Sequence, residues 1–123
     1  MNIAVTKAAV EMEKRSDTIS PHEVISLLLD GALERAEQAK DTLSSGDAET
    51  AGHLMTKLVG IVNGLRASLD FDKGGELAHH LEEMYGYIVE RLCEAEADNG
   101  GEILDETSAL LGNLKNGWDA IAA

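Results

Sequence analysis

The feature that most constrains the fold is a regular spacing of apolar residues in the middle of the chain. Between residues 51 and 69 the intervals are 4, 3, 4, 3 and 4 positions, at Ala51, Met55, Leu58, Val62, Leu65 and Leu69. This period places all six side chains on one face of an α-helix, whereas a strand would alternate every second residue. We therefore predict a helix that begins near Asp47 and contributes this face to a core.

A second signal marks the start of an earlier helix at Ser20. Ser20 is a favourable N-cap, Pro21 suits the first helical position, and Glu23 completes a capping box. The helix is predicted to end at residues 44–47, Ser-Ser-Gly-Asp. Its predicted core face consists of Ile25, Leu28, Ala32, Ala36, Ala39 and Leu43.

Two further helices follow from the same periodicity. Lys73-Gly74-Gly75 interrupts the pattern before the third helix, and Asp98-Asn99-Gly100-Gly101 separates the third helix from the fourth. The predicted core face of the third is Leu77, Leu81, Met84 or Tyr85, Ile88, Leu92 and Ala95. That of the fourth is Ile103 or Leu104, Thr107, Leu110 or Leu111, Leu114, Trp118 and Ile121.

These elements predict an all-α fold, an antiparallel four-helix bundle, because short polar loops join neighbouring helices. Residues 1–17 carry no comparable stripe, so we expect them to form a short N-terminal helical or mobile arm. The bundle domain is then expected over residues 18–123.

Charge and composition narrow the partners and the location. Ten Lys and Arg against 23 Asp and Glu give a net charge of −13, which disfavours nucleic acid and anionic membranes as partners. No apolar run approaches the ~20 residues of a membrane span, and the first residues do not resemble a signal peptide. A lone Cys93 cannot form an internal disulfide. We therefore expect a cytoplasmic protein without membrane insertion.

The chain offers little for catalysis or metal binding. Its carboxylates alternate with Lys and Arg at helical spacing, which is typical of a solvated helix face. Glu76 and His79 form the only Glu-x-x-His motif, and the adjacent His80 points about 100° away on a helix. Cys93 lies beside the predicted core stripe, so we expect a small buried apolar residue rather than a nucleophile. We predict no enzyme activity, no cofactor and no metal.

His53 supports an alternative hypothesis, a histidine phosphotransfer domain, because these domains are acidic helical bundles with a phosphorylatable His beside a Lys. In that motif the Lys normally follows at the third position and a Gly comes next. Here Lys57 is at the fourth position and the next Gly is Gly60, which rotates the ammonium away. A structural helical adaptor is a third interpretation.

Small residues also lie opposite the core stripe of the second helix. A rotation of 100° per residue puts Gly60, Gly64 and Ala67 on its outer side, with Ile61 on the flank. Small residues let another backbone approach closely, so this side is predicted to receive a partner helix. A core contact with the N-terminal arm would explain it equally well.

Several short segments, distributed over most of the chain, together form a recognisable pattern. They are Ile19–Ile25, Leu29–Leu33, Gly64–Asp70, Gly74–Ala78, Met84–Tyr87, Arg91–Leu92, Ala95, Ile103–Glu106 and Trp118–Ile121. From Ile19 to Ile121 the sequence thereby resembles the FliS flagellin export chaperones. It departs from their pattern in having no aromatic residue before Phe71, with Leu29 where a Tyr is common.

The resemblance implies a cytosolic chaperone that binds the C-terminal segment of flagellin, prevents premature polymerisation and assists delivery to the type III flagellar export gate. It implies neither catalysis nor a cofactor, and it leaves a homodimer open. Carried over position by position, it implies a flagellin groove near Leu28, Leu29, Gly31, Ile61, Gly64, Leu65, Leu69 and Tyr85.

Overall fold

The computed structural model describes residues 20–96 and 98–121. Within these ranges it contains four α-helices and no strand, which confirms the predicted all-α class. The helices are α1 (Pro21–Ser44), α2 (Ala48–Ala67), α3 (Phe71–Cys93) and α4 (Gly100–Ala120). The expectations for residues 1–17 lie outside the described residues.

Side-chain caps fix the starts of three helices. Ser20 Oγ accepts the Glu23 amide of α1 at 3.1 Å, and Asp47 Oδ1 accepts the Thr50 amide of α2 at 3.1 Å. The Ser20 cap was predicted from the sequence, and for α2 the sequence predicted a start near Asp47 without naming it as a cap. A third cap, Asp70, precedes α3 and was missed, because the sequence pattern placed the start of that helix after the glycine pair.

The helices pack in ring order, α1 against α2 and α4, and α3 against α2 and α4. Neighbours run antiparallel, as predicted. At one end of the bundle His22 at the start of α1 meets Trp118 at the end of α4. At the other end Lys40 of α1 forms an ion pair with Asp105 of α4 at 2.5 Å.

The core lies between these four helices and largely follows the predicted stripes. In α2 the residues Ala51, Leu58, Val62 and Leu65 are buried, while Met55 and Leu69 pack partly buried or at the core edge. From the middle of α1 onward the fully buried side chains are alanines, at Ala32, Ala36 and Ala39. Their small size brings α1 close to its neighbours.

The first turns of α1 differ from the prediction by one position. Val24 and Leu29 are the buried residues, rather than Ile25 and Leu28, which are only partly buried. The stripe was predicted from apolar residues that recur at intervals of three or four along the whole helix. Near its start, however, α1 also borders an open cleft, so a different set of side chains faces the core.

The start of α3 also corrects the sequence prediction. The break lies where it was expected, at Gly75 with φ 53° and ψ −127°, but a helical turn precedes it from Phe71. Leu77 is 53% exposed and was wrongly assigned to the core, while its neighbour Ala78 is buried. In the same way Ile121, at the end of α4, is 46% exposed rather than buried.

The smooth outer side predicted for α2 is only partly present. Ala67 is exposed and Gly60 is half-buried, but Gly64 is buried. Gly64 therefore does not lie on an outward face.

Candidate functional site

One end of the bundle contains an apolar cleft of about 500 Å³. It lies where the first two turns of α1, the last turn of α2 and the first half of α3 meet, with one residue of α4 at its edge. We call this feature the apolar cleft. Its lining residues are Pro21, Val24, Ile25, Leu28, Gly64, Leu65, Ser68, Leu69, Asp70, Lys73, Gly74, Leu77, Ala78, Leu81, Tyr85 and Trp118.

The lining is apolar except at the junction of α2 with α3, where Ser68, Asp70 and Lys73 are grouped. The Ser68 hydroxyl donates to the Leu65 carbonyl at 2.7 Å. The Asp70 carboxylate accepts the Lys73 amide at 3.1 Å as the cap of α3. Because the other lining residues are apolar, the cleft offers mainly hydrophobic contact to a ligand.

The wall formed by α3 depends on its glycine pair. Gly75 holds a positive φ that side-chain-bearing residues rarely adopt, so the turn from Phe71 to Gly74 departs from the axis of the main helix. A Cβ on Gly74 would lie 2.9 Å from the Cβ of Ala78. Glycine at both positions therefore lets this turn approach Ala78 and border the cleft.

The floor of the cleft contains Tyr85, which is only 4% exposed. Burial raises the pKa of its hydroxyl to about 12, because the phenolate would lose its hydration. Tyr85 is therefore neutral at physiological pH. It presents its ring, rather than a charge, to anything that enters the cleft.

The structure brings together five of the eight residues that the sequence assigned to a groove: Leu28, Gly64, Leu65, Leu69 and Tyr85 all line the cleft. The other three are not among its lining residues. Leu29 is 1% exposed and belongs to the core, and Gly31 and Ile61 are half-buried elsewhere on α1 and α2.

Sequence reasoning missed several residues of the cleft. Leu77, Leu81 and Trp118 were assigned to the core, and Val24 and Ala78 to no role. Two signals were available in the sequence. Leu77 directly follows the glycine pair and Glu76, and Trp118 is the only tryptophan of the chain.

The residues considered for other chemistry are scattered over the surface. His53, Lys57, His79 and His80 are exposed. Cys93 is exposed as well, so the expectation that it is buried is wrong. The rings of His79 and Phe71 are in contact, with centroids 4.8 Å apart and planes tilted by 36°. Among residues 20–96 and 98–121, no three His, Cys, Asp or Glu side chains are grouped to hold a metal ion. None of the helices in those ranges is both long and apolar enough to cross a membrane.

Comparison with known proteins gives a consistent result. The family model for the flagellar protein FliS matches residues 4–123. The chain is 42% identical to the flagellar secretion chaperone FliSB of Pseudomonas aeruginosa over 113 residues, which cover 92% of this chain and 90% of that protein. It is 37% identical to the flagellar secretion chaperone FliS of Salmonella typhimurium over 116 residues, 94% of this chain and 86% of that protein.

More distant relatives carry the same description. The FliS flagellar secretion chaperone of Bacillus subtilis is 24% identical over 102 residues, which cover 83% of this chain and 75% of that protein. The matches favour the chaperone interpretation over a phosphotransfer domain based on His53. On the strength of the family model and these relatives, the chain belongs to the FliS family of flagellar proteins.

Proposed function

We propose that this chain binds the C-terminal segment of flagellin in the cytosol, prevents its premature polymerisation and assists its delivery to the type III flagellar export gate. The observation that carries the proposal is the apolar cleft, in a protein whose relatives are named flagellar secretion chaperones. Five residues of the implied groove line this cleft, which is the basis for assigning it to the client.

The proposed binding follows from the chemistry of the lining. An amphipathic client segment that places its apolar face in the cleft would bury side chains that otherwise drive flagellin subunits together. The client loses conformational freedom on binding, so burial of apolar area must supply most of the affinity. We assign this binding to the bundle over residues 18–123, with residues 1–17 as a separate arm.

Leu77 offers a direct test of the cleft. It lines the cleft and is 53% exposed, so Leu77→Glu should leave the bundle folded. Full burial of a leucine contributes about 1.5–3 kcal/mol. We therefore expect the variant to bind a flagellin C-terminal peptide at least about tenfold more weakly than wild type. Isothermal titration calorimetry measures the affinity, and wild-type binding should show a negative heat-capacity change.

Leu27→Glu is the matched control. Leu27 is a leucine of α1 with 44% exposure, and it does not line the cleft. Its replacement introduces the same charge change on a surface that we do not assign to the client, so peptide affinity should stay within about twofold. Absence of wild-type binding to the cognate peptide would refute the proposed function. Equal losses of peptide affinity in Leu77→Glu and Leu27→Glu would show that the apolar cleft is not the client site.

Gly64→Trp is a less specific test. Because Gly64 is buried, a tryptophan there would disturb packing as well as fill the cleft. The exposed position of Leu77 avoids this ambiguity.

A further inference from the structure

The start of α1 and the end of α4 are joined by a reciprocal contact between His22 and Trp118. The Nε2 atom of His22 lies 2.7 Å from the carbonyl oxygen of Trp118. In return, the indole Nε1 of Trp118 donates to the carbonyl oxygen of His22 at 2.9 Å. Since a carbonyl oxygen can only accept, the proton of this imidazole hydrogen bond is on Nε2 of His22.

The two rings also stack. Their centroids are 4.6 Å apart and their planes are 10° from parallel. The indole is thus held at its face by the imidazole and at its Nε1 edge by the backbone of α1. These contacts connect residues 96 positions apart in the chain.

The contact also satisfies a helix end. Trp118 is in the last turn of α4, where carbonyl groups lack the usual intrahelical partner. Its carbonyl accepts the Ile121 amide at 3.2 Å in addition to the His22 ring. The Trp118 carbonyl is therefore bound both by the residue that ends α4 and by a side chain of α1.

Trp118 is the residue of α4 that lines the apolar cleft, beside Pro21 and Val24 of α1. An indole that rotated freely would have to be ordered when a client bound, and this loss of freedom would weaken binding. The contact with His22 already orders the indole in the free protein, so client binding removes less side-chain freedom.

We infer that His22 is a positioning residue for client binding, which holds the Trp118 indole as a fixed wall of the apolar cleft. This inference rests on the proposed function, since it concerns the same cleft. His22 itself is not a lining residue, and it acts through Trp118.

The test uses three variants of the full chain. His22→Ala removes the stack and the imidazole hydrogen bond, and His22→Phe restores a ring against the indole. Ser26→Ala is the matched control, because Ser26 joins the same two helices through a 2.7 Å hydrogen bond to the side chain of Asp119 rather than to Trp118. Binding of the flagellin C-terminal peptide and the fluorescence anisotropy decay of Trp118, the only tryptophan, are measured in each.

We expect His22→Ala to weaken peptide binding about fivefold and to add a fast component to the anisotropy decay of the indole. His22→Phe should recover most of the affinity and the slow decay, and Ser26→Ala should change neither. The inference is overturned if His22→Ala binds as well as wild type, or if Ser26→Ala weakens binding equally, since either result would leave His22 a purely structural role.

The two readouts separate this inference from the function on which it rests. If wild-type protein fails to bind the peptide, the proposed function fails, and with it the client part of the inference. The anisotropy decay still decides whether His22 immobilises Trp118. If wild type binds and His22→Ala leaves the decay unchanged, the positioning role is rejected while the chaperone function stands.

Discussion

At the scale of single residues, a compact polar network on the surface is centred on Glu106 of α4. The Tyr87 hydroxyl donates to Glu106 Oε2 at 2.5 Å, and Arg91 Nε donates to Oε1 at 2.8 Å. Both donors come from α3, so the network joins the two helices. The hydrogen bond from Tyr87, followed by that from Arg91, lowers the pKa of the Glu106 carboxyl below its ordinary value of 4.5.

Tyr87→Phe should therefore raise the pKa of Glu106 towards 4.5, because the largest cause of its depression is removed. Since the folded pKa is the lower one, the carboxylate contributes stability above its unfolded pKa and loses it as pH falls through the folded pKa. In Tyr87→Phe, less stability should therefore be lost as the pH falls. Carbon-13 NMR titration of the Glu106 carboxyl measures the shift, and an unchanged pKa in Tyr87→Phe would contradict the assignment.

At the scale of the helix, α3 is the element whose course depends most on one residue. Gly75 at φ 53° and ψ −127° bends the first turn away from the main axis, and this turn borders the apolar cleft. A continuous helix would carry Phe71 and Lys73 elsewhere. The glycine pair thus serves the shape of the cleft more than the stability of α3.

Gly75→Ala should lower the free energy of unfolding by about 1–3 kcal/mol, because a Cβ is strained at this φ whatever the surrounding space. Urea unfolding monitored by circular dichroism measures the change. Gly112→Ala in α4 is the control. No side chain lies within 4 Å of a Cβ there, so this variant should gain up to about 1 kcal/mol from helix propensity. Equal effects of the two substitutions would argue against a strained position at Gly75.

At the scale of the whole molecule, the net charge of −13 opposes the compact state. Ion pairs such as Lys40–Asp105 and Arg66–Glu82 are partly exposed to solvent, and pairs at the surface contribute little to stability. Repulsion between the many carboxylates is then the larger electrostatic effect. Salt should relieve it more than it weakens the pairs.

The thermal midpoint should consequently rise when sodium chloride is increased from about 0.01 to about 0.2 M at pH 7, a range over which the Debye length falls several-fold. Differential scanning calorimetry measures the midpoint, and potassium chloride should give the same increase because the effect is one of screening. A midpoint that fell with salt would show that the ion pairs dominate.

The sequence was sufficient for the bundle, because burial repeats with the helical period wherever a helix faces the core throughout its length, as α2 does. It failed at helix ends. Near the start of α1 the side chain of Leu28 faces the cleft while Leu29 enters the core, a distinction that depends on neighbouring helices. The contact of His22 with Trp118 could not be predicted from the sequence either, because it joins residues that are far apart in the chain.

The end of the bundle farthest from the cleft is closed much more tightly. There a Cβ on Gly100 would lie 2.8 Å from the Leu43 side chain, and Lys40 pairs with Asp105 nearby. A protein with one closed end and one open end lends itself to directed evolution. A library randomised at cleft positions such as Leu77 and Leu81 could be selected for new peptide cargo, because Leu77 is exposed and Leu81 is only partly buried.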